Sequence, residues 1–337
     1  VDTAAATLAG DSIVVRDAAS VLLGNLQTPA GTLTLGINRD ITGPVTQTAG
    51  SSVVANTLTA STNGSIALAE PSNQFQLLDG ILTDGAISLR DGSGNLILQD
   101  IDSGNHDISI ATVGTAFLET PIQSLGATVR IDAGNAIVDF DPADTTAKIT
   151  ADRVVLTAGS GGIGQAGAFE IDANVLFADT SAGNGNIHIT NPFGGLNIDQ
   201  VNAGMGEVRL SAVQLDDATV DTLPDFIAKR LELAAETGIG AVEPLELFAV
   251  ERLSAETTSG GIQLDWTTTG DTVAEKLVAG SGGIILTQRG GQTLDIQVLE
   301  NLSGSVNIVS EDGSIEIAAG PLISADTIQI AAAKQLS

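Results

Sequence analysis

The chain has 337 residues, 43% of them apolar, with 3% aromatics, no Tyr and 39 Gly. Its 41 acidic against 13 basic side chains leave a net charge of −28, which excludes a basic surface for nucleic acid or an anionic membrane. The lack of Cys excludes disulfides, thiolate metal sites and a Cys nucleophile, and no apolar run reaches the roughly 18 residues a membrane-spanning helix needs.

Up to about residue 60, apolar doublets alternate with polar residues: Ile13 and Val15, then Leu33 and Leu35 beyond the turn Pro29-Ala30-Gly31. An apolar-x-apolar doublet predicts a strand with both side chains on one face. From 61 to 133 the doublets fall on a ruler. Ile66, Ile87, Ile108 and Val129 are 21 residues apart, and Leu68, Leu89, Ile110 and Ile131 repeat the step two places on. Gly64 and Gly85 stand two residues before their doublets, and turns with φ > 0 are expected there. Second strands such as Leu96-Ile97-Leu98 lie between the doublets, giving two or three short strands per repeat.

From 134 to 210 the step wavers. Val154 and Leu156 are answered by Val175 and Phe177, and Ile187 and Ile189 by Val208 and Leu210. The stretch Asp221–Arg230 breaks the pattern; a protruding loop near 216–230 is predicted, with one helical turn after Pro224. The ruler then resumes with a step of 22 through Ile262, Ile284, Val306 and Ile328, shadowed by Leu264, Leu286, Ile308 and Ile330.

A doublet recurring at this period stacks successive strands in register, one per coil of a solenoid. Slim aliphatics suit a narrow interior that must be filled at every level. The expected fold is therefore all-β: a right-handed parallel β-helix of roughly 15 coils of about 21–22 residues, about 70–75 Å long at a strand spacing of about 4.8 Å. No linker or composition shift divides it, so residues 1–337 read as one domain. Neither Val1–Gly10 nor Ile328–Ser337 reads as a cap. Either the natural protein continues beyond the chain or copies stack end to end through unpaired strand groups. The start at Val1, with no Met, fits a mature product or an excised segment.

Residues 238–264 run Gly238-Ile239-Gly240, Pro244-Leu245, Leu253-Ser254-Ala255 and Gly260-Gly261-Ile262-Gln263-Leu264. The next coil answers with Ala279-Gly280-Ser281-Gly282-Gly283-Ile284-Ile285-Leu286. Gly161-Gly162-Ile163-Gly164 and Asn186-Ile187-His188-Ile189 are related runs. This pattern resembles the repeat region of filamentous-haemagglutinin-type adhesins, explicitly over about 150–335. The resemblance implies a right-handed parallel β-helix exported across the outer membrane and displayed as a fibre or stalk. It supplies no catalytic residue. The family's amino-terminal Asn-Pro-Asn-Gly-type motif is not visible, and Asn191-Pro192-Phe193-Gly194 is a misplaced match, so the chain corresponds to repeat shaft.

Parallel β-helices also carry polysaccharide lyases and hydrolases, which need paired carboxylates facing a groove. Asp79, Asp84, Asp91, Asp100, Asp102 and Asp107 crowd one region, and Arg90 or Arg130 could serve as a lyase base. No constellation of Asp, His and Lys or Arg falls in adjacent strands, so no catalytic residue and no enzyme is expected. Ca²⁺ is the one cofactor considered, with Asp100 and Asp102 as its ligands, although the Gly-Gly-x-Gly-x-Asp signature is missing. His106 and His188 read as separate surface residues rather than a metal site, and Gly161–Gly164 lacks the Lys and helix of a phosphate loop. Trp266 is expected to pack against a coil wall, with a carbohydrate platform as the alternative.

The expectation is a structural and adhesive segment of a secreted bacterial surface or extracellular filament protein. Its partners would be host or neighbouring cell surfaces, glycans or further copies of itself, with no membrane span. A self-assembling filament or sheath subunit and a polysaccharide lyase or hydrolase are the alternatives.

Overall fold

The computed structural model describes residues 12–164, 167–317 and 325–336. The expectation for Val1–Gly10 and the last residue, Ser337, lie outside them. The described residues contain no helix, and their strands are parallel and stacked as a β-solenoid of about 14 turns, one fewer than the repeat count suggests. No helix among them is long and apolar enough to cross a membrane. By internal contacts the chain divides into two compact units, Val1–Ala173 and Asn174–Ser337.

In the first unit, Ile66 pairs with Ile87, Ile87 with Ile108, Ile108 with Val129 and Val129 with Val154. Leu68, Leu89, Ile110, Ile131 and Leu156 form the parallel ladder two residues along, and all ten side chains are buried. Alternation within each strand makes this happen, because period 2 turns every second side chain inward. Each such side chain contributes roughly 1.5–3 kcal/mol by leaving water. The step from Val129 to Val154 is longer because residues 140–148 leave the ladder as a connection without strand.

Other faces of each coil are built from further strands. Leu96–Asp102 pairs with Leu77–Thr83 on one side and with Ala116–Leu118 on the other. Ile122–Ala133 covers two faces at once: Ile122 sits on Ile101 and Val129 on Ile108. The corner between them is a register shift from Ser124 to Thr128, with Gly126 at φ +88°. Pro29-Ala30-Gly31 plays the same role inside the strand Leu26–Leu35, whose pairing shifts between Thr28 and Thr32.

Gly64 and Gly85 are required for a reason other than the expected one. Neither has positive φ. A Cβ on Gly64 would lie 2.3 Å from the carbonyl carbon of Gly43, and one on Gly85 2.5 Å from the nitrogen of Ser65. Adjacent coils approach backbone to backbone at this corner, and a side chain would wedge them apart.

In the second unit Ile239, Ile262, Ile284, Val306 and Ile328 pair in succession. The first four are buried, while Ile328, in the last described strand, is 46% exposed. Val208, Leu231 and Leu253 continue from Ile187 in the same manner on another face.

Two expectations need correction. In the second half of Phe169–Asp179, Leu176 and Ala178 are buried, while Val175 and Phe177 are only half-buried. The period-2 parity is shifted by one, so the step from Val154 is 22. After Pro224 there is no helical turn; Phe226–Ile227 is a short strand whose residues pair with Val201 and Asn202 and with Leu247 and Phe248. The irregular segment before it, residues 218–225, exposes Val220 and Leu223. Trp266 is fully buried, with Leu247 and Gln288 as its paired neighbours, and its indole Nε1 donates to the Val250 carbonyl at 3.0 Å. A sugar cannot stack on it. As the chain's single Trp it should emit at short wavelength and resist acrylamide quenching until this unit unfolds; quenching at the rate of a free indole would place it outside the coil.

Candidate functional site

The six clustered aspartates do not converge. Asp91 is fully buried at a corner, where its carboxylate accepts from the backbone N–H of Phe75 at 3.0 Å, Ser93 at 3.1 Å and Gly94 at 3.1 Å. The hydroxyls of Ser93 at 2.6 Å and Thr112 at 3.1 Å complete the set. It is a structural keystone: Asp91→Ala should strand these donors and cost on the order of 3–5 kcal/mol, checked by the urea midpoint of the first unit.

The other aspartates are tied up separately. Asp84 pairs with Arg39, and Asp107 accepts from the backbone of Thr128. Asp79 is half-buried on the strand Leu77–Thr83. Asp100 is exposed with φ +50°, and Asp102 accepts from the Gly104 N–H at 2.7 Å. The exposed Arg90 and Arg130 do not meet in a groove with them, and Arg130 is engaged by Asp132. His106 is exposed and His188 half-buried; burial, then the Arg209 charge, pushes the His188 imidazole below its usual pKa. Ile163 of the Gly161–Gly164 run is buried in a two-residue strand.

Two places in the fold do bring chemically useful groups together. In the second unit, Asp217, Asp225 and Glu246 offer carboxylate oxygens that all lie within 4.8 Å of one another. Asp225 and Glu246 precede the paired residues Phe226 and Leu247, so the coil register itself sets one above the other. Asp225 is 2% exposed and takes the backbone N–H of Glu246 at 2.9 Å. Burial pushes its carboxyl up to about 9, and burial likewise raises Glu246. Three close carboxylates cannot all stay ionised in a dry setting, so Asp225 keeps its proton and presents it to Glu246. A groove of about 450 Å³ adjoins them, lined by Pro224, Glu246, Phe248, Asp265 and Arg289, with Arg289 bridging Asp265 at 3.0 Å and Glu311 at 3.2 Å.

In the first unit, a groove of about 500 Å³ is lined by Gln76, Ser93, Asn95, Ile97, Phe117 and Phe140. The two rings meet edge to face, 6.4 Å between centroids at 80°, and Phe140 is 52% exposed. Amides and a hydroxyl beside an exposed ring match the alternating polar and C–H faces of a sugar. The sequence reading overlooked this pair because Phe117 and Phe140 belong to different coils, and only the stacking of Ala116–Leu118 on Ala136–Asp139 brings them together.

Comparison with known proteins gives no matching family profile, no matching curated protein and no matching solved structure. The haemagglutinin-type resemblance rests on the repeat pattern alone; the parallel β-solenoid is compatible with a β-helix repeat protein.

Proposed function

We propose that the chain is a structural and adhesive segment of a secreted bacterial surface or extracellular filament protein. The observation that carries this reading is the in-register aliphatic ladder, maintained from coil to coil in each unit. Such a ladder is stiff along its stacking direction and repeats its outer surface at every level. A net charge of −28 keeps that surface hydrated and self-repelling. The Phe117–Phe140 groove supplies a contact for glycans.

The test combines two measurements. Immobilised chain should retain saccharides in a glycan-array screen, and Phe140→Ala should abolish retention while costing no more than about 2 kcal/mol, the order expected for losing a half-exposed ring and its edge-to-face contact, so that the chain stays folded. Retention unchanged in that variant removes the groove from the reading, and failure to retain any saccharide removes adhesion. Amide exchange should be slow along both ladders; fast exchange there would refute a stiff support.

A further inference from the structure

Phe140 forms one wall of the groove in the first unit, yet it stands at the start of the connection 140–148, which has no strand of its own. Its partner ring, Phe117, sits on the strand Ala116–Leu118, paired with coils on both sides. A ring on a strandless surface segment is ordinarily mobile, and fixing it on binding subtracts from affinity. The Phe140 N–H donates to the Leu118 carbonyl at 3.0 Å. Beyond it, the hydrogen bonds of residues 141–147 all end within 139–148 among the described residues. The Asp141 N–H goes to Asp139 at 2.9 Å, the Ala143 N–H to Asp141 at 3.2 Å and the Thr146 N–H to Asp144 at 2.8 Å. These bonds shape the segment without attaching it to the coil.

The attachment is Lys148, the one fully buried lysine or arginine among the described residues, with a side chain 1% exposed. Its backbone is a fixed post. The N–H donates to the Glu170 carbonyl on the next coil at 2.8 Å, and the carbonyl accepts the Ile122 N–H of the preceding coil at 2.9 Å. Its Nζ lies 3.1 Å from Asp139 Oδ1 and 2.7 Å from Asp144 Oδ2. Asp139 immediately precedes Phe140 and Asp144 follows it by four residues, so one ammonium grips the chain on both sides of the ring. Asp139 is buried, while Asp144 reaches in from the connection. A buried ion pair adds little net stability over aliphatic side chains of the same volume, and here Asp139 Oδ2 is enclosed without a partner. What the pair supplies is position, because moving the segment pulls a carboxylate off a buried charge.

We propose that Lys148 is the positioning residue of the Phe117–Phe140 groove: through Asp139 and Asp144 it holds the connection so that the Phe140 ring stands edge to face against Phe117 before any saccharide arrives. Lys148 is enclosed, touches no saccharide itself and acts through the chain on either side of the ring. The groove then binds without first ordering one of its walls. Its bearing on adhesion rests on the reading of the groove as a glycan contact; the placement of the ring does not, and is measurable with no glycan present.

Fluorine NMR of the full chain, carrying para-fluorophenylalanine, reads the ring directly, with the Phe140 signal among the eight Phe assigned by Phe140→Leu. In the wild-type chain that signal should stand apart from its position in the unfolded chain. Asp144→Ala cuts the tie at its outer end and leaves the Lys148–Asp139 pair inside. It should move the Phe140 signal to the unfolded position and quicken amide exchange over 140–147 by about tenfold, with Ile131 and Leu156 as protected as before. Saccharide retention should fall about tenfold as well. Asp144→Asn removes the same charge but keeps an acceptor for Nζ, so it should hold all three near the wild type. A wild-type Phe140 signal at the unfolded position overturns the proposal even if a variant fails to fold, and so does a signal that Asp144→Ala leaves in place. Where the wild type retains saccharide, undiminished retention in Asp144→Ala overturns it too. A wild type that retains none sinks the glycan reading alone, and the fluorine signal still decides whether Lys148 fixes the ring.

Discussion

Between about pH 6 and pH 9 the unit containing Asp225 should lose stability as the pH rises, and Asp225→Asn should remove that loss. The sign follows from the direction of the shift. The Asp225 carboxyl titrates near 3.8 when unfolded and at about 9 when folded. Below the lower value both states hold the proton, and the folded state carries no penalty. Above it, the unfolded chain releases the proton while the folded chain keeps it, and each pH unit favours unfolding by up to about 1.4 kcal/mol. Stability is therefore fully present below about pH 4 and is lost on the way to pH 9. Glu246 shares the proton, so the net effect is a few kcal/mol rather than the product of shift and slope. The range above about pH 6 lies past the ordinary carboxylate range, which makes it diagnostic. Asn keeps an acceptor for the Glu246 N–H and offers an N–H₂ donor to the Glu246 carboxylate, imitating the protonated acid. Urea midpoints read from Trp266, which lies in the same unit, should run parallel for the two proteins at pH 4 and diverge by pH 8, with the variant more stable. Equal slopes from pH 6 to 9 would mean that Asp225 is ionised in the fold.

How much of this was legible from the residues depends on the kind of signal. The ladder from Ile66 to Val129 was readable because two independent regularities coincide there, a strand period of 2 and a coil period of 21. Where only one survives, the reading slips: residues 175–178 are apolar throughout, and composition alone could not say that Leu176 faces inward. Trp266 obeys the parity of Ile262 and Leu264, and following that alternation one step further would have placed it in the core. The clustered aspartates are near in sequence, which does not by itself make them near in space. In a solenoid, residues meet when they are one coil apart. Asp225 and Glu246 are 21 apart, and Lys148 and Glu170 are 22 apart, so charged residues at the coil step were the signal to seek. The aspect no spacing rule could reveal is burial of the charge, which depends on where each coil turns its corner. Gly64 and Gly85 show the same limit, since their positions were legible but the contact that demands them lies in the neighbouring coil.

That contact is closest at Gly260, and Gly260→Ala should be among the most damaging single-methyl substitutions in the chain. A Cβ there would stand 1.7 Å from the Thr237 carbonyl oxygen, 2.2 Å from its carbon and 2.7 Å from the Cα of Gly238. All three are backbone atoms, so no side chain can swing aside. The wall cannot easily retreat either, because the Thr258 N–H donates to the Ala235 carbonyl at 3.0 Å and the Ser259 N–H to the Glu236 carbonyl at 2.8 Å, holding the two coils together at this corner. Relief requires the coils to part next to Ile262, which pairs with Ile239 below and Ile284 above. Breaking those bonds and loosening a buried rung should cost about 3 kcal/mol or more, the upper end of what overpacked cores show. Gly270 is the matched control, since a Cβ there meets nothing within 4 Å and its φ is not positive. Gly270→Ala should change stability by no more than about 0.5 kcal/mol, or raise it slightly by restricting the unfolded chain. Both variants report through Trp266, whose indole is anchored to Val250 within the same unit. If the two alanines shift the urea midpoint equally, the coils are not in backbone contact at Gly260. If only Gly260→Ala does so, the glycines of this repeat mark where one coil rests on the next.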